Sequence, residues 1–198
     1  MMNTKKTYKI YFAGALFAKS DIFANTFLAT EITRLSEGRY EFVLPQDLEQ
    51  REVTPKYIRD QDLKQVLACD GALFNYDGTE LDSGTLVEYI FAKFADKPSV
   101  IMRTDIRLAG DQTKEDGHPW NLMTSFFPRT NYLILDSLGM YKEALAETKD
   151  SLKASKLTNH KMAQRCIEEL DKVFATEPLI APEDLNTIES WIHKSADF

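Results

Sequence analysis

Five short apolar runs, each closed by polar, glycine or proline residues, alternate along the chain with segments whose apolar residues recur every three or four positions. The runs are Tyr8–Ala13, Tyr40–Leu44, Gly71–Asn75, Ser99–Met102 and Tyr132–Leu135. Their length and near-continuous apolar character suit strands buried on both faces. Strand and helix in strict alternation require right-handed crossovers, and therefore a parallel sheet with helices on both faces. The expected fold is α/β: a five-stranded parallel sheet of flavodoxin-like or Rossmann-like type.

The first intervening segment can be capped by Ser20 or Asp21, presents Phe23, Phe27, Ala29, Ile32 and Leu35 on one face, and can stop at Gly38. The second starts with Pro55 in its first turn and carries Ile58, Leu63, Val66 and Leu67. The third is expected to start near Asp82 or Ser83, to bury Leu86, Val87, Ile90, Phe91 and Phe94, and to end before Lys97-Pro98. Thr104 to Thr130 lacks an apolar period and is rich in Gly, Asp, Pro and charge, the mark of a functional or mobile loop. Beyond it, Leu138–Ala154, Lys161–Phe174 and Pro182–Lys194 read as helices. The expected organisation is an α/β domain over residues 1–136, then a helical extension over 137–198 that packs on the same domain or on a neighbouring subunit.

Composition narrows the function. A net charge of −7, with no basic stripe interleaved with aromatics, repels a polyphosphate backbone, so nucleic acid polymers are not expected partners. Met1 to Lys9 is followed by no apolar core of signal-peptide length, and no run of about 18 apolar residues occurs, so a cytoplasmic protein without a membrane partner is expected. Cys69 and Cys166 have neither CxxC nor metal-ligand spacing and read as free thiols of a reducing compartment. His118, His160 and His193 are scattered, which argues against a metal site.

Ligands of open parallel sheets bind past the carboxyl ends of the strands. Those positions carry Gly14-Ala15-Leu16-Phe17, Pro45-Gln46-Asp47, the stretch from Tyr76 to Thr85, and Arg103 to Arg107. No glycine-rich phosphate motif is among them, so neither a dinucleotide nor a nucleoside triphosphate is expected. Carboxylates dominate, and paired carboxylates suit cleavage of a glycosidic bond, one meeting the cationic sugar carbon while another protonates the leaving group. Glu88 falls in the second turn of its helix, where the positive amino terminus favours its ionised, nucleophilic form. Spacing alone fits equally a solvated helix glutamate at 88 and an ordinary N-cap at Asp82.

The string Tyr11-Phe12-Ala13-Gly14-Ala15-Leu16-Phe17, the acidic turn Asp82-Ser83-Gly84-Thr85-Leu86-Val87-Glu88 and the later Pro119-Trp120-Asn121-Leu122-Met123 occur in the order and approximate spacing of the nucleoside 2-deoxyribosyltransferases, and the chain resembles that family from about Tyr8 to Leu135. The resemblance implies that Glu88 is the nucleophile, oriented by Tyr11, and that Asp62, or its neighbour Asp60, handles the nucleobase with a carboxyl pKa raised by partial burial. It places Asp82 on a sugar hydroxyl, Asn121 on the same sugar from a neighbouring subunit, and Gln46 on the base. Phe17, Met123 and Gly14 would line the pocket, and Trp120 could stack on a base or sit at a subunit contact. The implied reaction is ping-pong exchange between 2′-deoxynucleosides and free purine or pyrimidine bases through a deoxyribosyl ester, without cofactor or metal, in a homo-oligomer with a shared site. Two other readings stand beside it. One is a 2′-deoxynucleoside 5′-phosphate N-hydrolase, for which Ser83, Thr85, Arg103 or Arg107 would have to bind phosphate; the other is a non-catalytic nucleoside-sensing module.

Overall fold

In the computed structural model, residues 6–48, 54–107, 110–112 and 117–198 are described. Met1–Lys5 and six positions of the long loop, 108–109 and 113–116, therefore lie outside the described residues. Strands β1 (Tyr8–Ala13), β2 (Tyr40–Val43), β3 (Gly71–Asn75), β4 (Ser99–Arg103) and β5 (Thr130–Ile134) form one sheet in the order β2-β1-β3-β4-β5. Every pairing is parallel, with Tyr11 opposite Val43 on one side and Ala72 on the other. This is the flavodoxin-like order, whose switch point lies between β1 and β3.

Side chains of a strand alternate between faces, and β1 sorts accordingly. Ile10 and Phe12 join a core with Leu28 and Ile32 of helix α1 (Lys19–Leu35) and with Ala163, Cys166, Leu170 and Val173 of helix α5 (Ser151–Phe174). Tyr11 and Ala13 point to the opposite face, against Val66 of helix α2 (Pro55–Ala68) and Tyr89 and Ala92 of helix α3 (Ser83–Phe94). The chain after β5 thus supplies half of the first face's helical cover. Helix α4 (Ser137–Thr148) packs on α5, and α6 (Pro182–Ala196) sets Ile192 against Leu67 of α2 and Ala95 beyond α3. Among the described residues, no helix is long and apolar enough to cross a membrane.

Several local expectations are corrected. The N-cap of α1 is Ala18, whose amide donates to Asp21 Oδ2 at 3.0 Å, so Asp21 acts from the first turn rather than as the cap. Phe23 and Phe27 are exposed, as are Val87 and Phe94; the buried line of α3 is Thr85, Tyr89 and Ala92, at i, i+4 and i+7. The break between α4 and α5 falls at Lys149-Asp150, not between Ala154 and Lys161: Lys149 takes a left-handed conformation with φ 52°, and Asp150 caps α5 by accepting from the Lys153 amide. Trp120 neither stacks in a pocket nor sits at the surface. It is fully buried, edge-on to Tyr76 and stacked on His118, and its Nε1 donates to Ser125 Oγ at 2.9 Å, which pins the described end of the long loop to the α2/α3 face. Both cysteines are buried and free.

Candidate active site

The α2/α3 face brings together residues far apart in sequence. Tyr11 is fully buried, and its hydroxyl donates to Glu88 Oε1 at 2.6 Å across a separation of 77 positions. Glu88 lines a cavity of about 510 Å³ between α2 and α3, together with Asp62, Pro55, Ile58, Arg59, Ser83, Gly84 and Val87. Asp62 therefore opens onto the same space as Glu88. Asp60 does not: it is held by Lys56 at 2.9 Å and by Arg59, away from that cavity.

The electrostatics differ from the expectation of a freely ionised Glu88. Burial pushes its carboxyl up from 4.5 to about 7; the Tyr11 hydrogen bond opposes this, while the charges of Asp62 and Asp82 add to it. The field of a helix terminus fades within the first turn, and Glu88 is in the second, so desolvation outweighs it. Tyr11 is itself raised far above the usual phenol range, first by burial and then by the Glu88 charge, and stays a hydrogen-bond donor at any working pH.

Asp82 is the N-cap of α3, its Oδ2 accepting from the Thr85 amide at 2.7 Å and from Thr85 Oγ1 at 2.9 Å. It also lines a second, larger cavity of about 870 Å³ past the ends of β3, β4 and β5, and Ser83 lines both cavities. That larger space is acidic, with Asp21, Asp77, Glu80, Asp82 and Asp105 in its wall. Of the two arginines considered for phosphate binding, Arg107 lines this space and Arg103 does not. Arg107 forks onto Asp105, and Arg103 is wholly buried beneath the loop that follows β3. Thr85 is buried and tied to Asp82.

The remaining expected residues do not line the Glu88 cavity. Gln46, in the 3₁₀ turn Pro45–Asp47, donates to Ile22 O and to Thr26 Oγ1, fastening that turn to α1. Asn121 caps a 3₁₀ turn by accepting from the Met123 amide. Phe17 and Met123 stand 82% and 72% exposed. Gly14 lets the loop after β1 close on β3, for a Cβ there would lie 3.1 Å from Asn75 Cβ. Sequence reasoning missed Arg59 and Ile58 in the cavity wall; nothing in their local pattern distinguishes them from other α2 residues. Among the described residues no group of three or more His, Cys, Asp or Glu is arranged to hold a metal ion.

The sequence profile described as nucleoside 2-deoxyribosyltransferase matches residues 10–123, more than half of the chain, and that span holds Tyr11, Asp62, Asp82 and Glu88. Curated protein sequences give no match. Among solved structures, a conserved protein from Enterococcus faecalis V583 superposes with a TM-score of 0.51 at 24% identity, over 84% of this chain and 98% of that one. A structure described as a 2-desoxiribosyltransferase from Leishmania mexicana gives 0.49 at 20% identity, over 71% and 98%. The first of these similarities supports the fold, and the profile match supports the ancestry: the chain belongs to the nucleoside 2-deoxyribosyltransferase family.

Proposed function

We propose that this protein transfers 2-deoxyribose between nucleobases through an ester on Glu88. The observation that carries this reading is the Tyr11–Glu88 hydrogen bond at the wall of a cavity that Asp62 shares. Because Tyr11 holds Oε1, Oε2 is the oxygen free to attack C1′ of a 2′-deoxynucleoside. The C1′–O bond forms as the glycosidic C–N bond breaks, and its electron pair leaves with the base, which takes a proton from Asp62. A second base reverses the step, returning its proton to Asp62 and freeing Glu88. Two carboxyl groups in one pocket with opposed protonation states are a recurring way to run such chemistry near neutral pH.

Asp82 is assigned to a sugar hydroxyl. A sugar spanning Glu88 and Asp82 directs its 5′ end toward the larger cavity, whose wall sets five carboxylates against one arginine, Arg107, itself paired with Asp105, and so disfavours a phosphate. This favours nucleosides over nucleoside 5′-phosphates. Incubated with a 2′-deoxynucleoside and a different free base in the presence of a chelator, the protein is expected to give the exchanged deoxynucleoside. Turnover confined to 5′-monophosphates, with release of free sugar phosphate, would replace this reading with the hydrolase.

We further propose that the site is completed by a second copy. Phe17 in the loop after β1, and Leu122, Met123 and Phe126 in the loop after β4, stand exposed, apolar side chains of the kind that subunit contacts cover. Asn121, which does not reach the Glu88 cavity of its own chain, would then serve a neighbour's sugar. Co-refolded Glu88→Ala and Asn121→Ala proteins, each nearly inactive alone, are expected to regain part of the wild-type rate. If mixed oligomers form and no activity returns, the shared site is wrong.

A further inference from the structure

Arg103, at the end of β4, is fully buried, yet among the described residues no carboxylate accepts a hydrogen bond from its guanidinium. It donates instead to three backbone carbonyls: Nη1 to Tyr76 O, and Nη2 to Gly78 O at 3.0 Å and to Arg107 O at 2.6 Å. Among the described residues its Nε has no hydrogen-bond partner. A buried guanidinium without a bonded counter-charge is costly, and the cost is offset only where its hydrogen bonds fix something. What these bonds fix is the loop from Tyr76 to Asp82. Gly78 takes φ +116°, a conformation that L side chains rarely adopt, and a Cβ there would lie 2.9 Å from Glu80 O. Asp77 stitches the same loop to the one after β4, accepting from the Thr104 amide at 2.5 Å, from Thr104 Oγ1 at 2.7 Å and from the Asp105 amide at 2.8 Å. The loop ends at Asp82, the cap of the helix that carries Glu88.

We propose that Arg103 is a positioning residue: its buried guanidinium clamps the loop after β3 and so sets Asp82, in the wall of the larger cavity, against the sugar. This rests on the transferase reading for its kinetic consequence, but not for its structural one. Hydrogen bonds from a rigid planar fork to several carbonyls at once are something a lysine ammonium cannot reproduce from the same stem.

The test uses Arg103→Ala, which leaves a space, and Arg103→Met, which fills it without donors and guards against collapse of the Ala variant. In hydrogen–deuterium exchange, the amides of Asp77, Thr104 and Asp105, each hydrogen-bonded where the two loops are stitched together, are expected to exchange about tenfold faster or more in both variants, while Val100–Met102 keep wild-type protection. Because Asp82 is assigned to sugar binding, KM for the deoxynucleoside should rise about tenfold with a smaller change in kcat. Millimolar guanidinium should restore loop protection and KM in the Ala variant and neither in the Met variant. Wild-type loop protection in both variants, or loss of protection spread equally over β4, would overturn the proposal. If the wild-type protein exchanges no bases, the transferase reading fails, while loop protection and guanidinium rescue still decide the role of Arg103.

Discussion

Glu88→Gln is expected to abolish base exchange, by on the order of 10⁴-fold or more, and at the same time to make the protein more stable at pH 8. The first effect follows from losing the attacking oxygen anion. The second follows from linkage. With a pKa of about 7 in the folded protein against 4.5 as the ordinary value, Glu88 binds its proton more tightly folded than unfolded. Its ionisation therefore opposes folding fully above pH 7, and the penalty fades as pH falls to 4.5. A neutral glutamine can still accept from Tyr11 and avoids the penalty. The gain is expected to be roughly 1–3 kcal/mol at pH 8, vanishing below pH 4.5. Thermal unfolding of both proteins across this range checks it; equal stability at pH 8 would mean that Glu88 is not held in a desolvated site.

Tyr11→Phe is expected to move the acid limb of the rate profile upward. Only ionised Glu88 attacks, so kcat/KM of the wild-type protein should rise with pH through about 7. The Tyr11 hydroxyl is the group that holds the Glu88 value down, and a hydrogen bond to a charged group contributes about 1.5–3 kcal/mol. Its removal should shift the limb up by about one to two pH units, so activity at pH 7 falls about five- to fiftyfold. A rate reduced equally at all pH values would show that Tyr11 orients the carboxylate without setting its ionisation.

The five strands were legible because parallel strands buried on both faces must be short and almost continuously apolar, and nothing else in the chain has that form. Helix faces were less legible. Periodicity marks an apolar stripe but not which edge of it meets the sheet, so Phe23, Phe27, Val87 and Phe94 were expected in the core and stand exposed, while Tyr89 is buried. The turn between α4 and α5 carries no glycine or proline, and its only local signal is Asp150 as a cap. In the site, the spacing of Asp82 and Glu88 was visible in the sequence, and the N-cap geometry of Asp82 is the ordinary one for that position. The ionisation of Glu88 was not visible, because it turns on burial against Tyr11, a contact created by strand alternation and by packing across the fold. Arg103 was open to misreading for the same reason: a basic residue after a strand resembles a phosphate donor until its side chain is seen to turn under the preceding loop.

Glu88 is the residue that the sugar is expected to esterify. This is tested most directly by mixing the protein with a 2-fluoro-substituted 2′-deoxynucleoside analogue, whose ester hydrolyses slowly, and locating the added mass by peptide mass spectrometry. One sugar is expected on the peptide that contains Glu88, none in Glu88→Gln, and the label should leave when a free base is added. A label on Asp62 or Asp82, or free-sugar release without any labelled peptide, would contradict it.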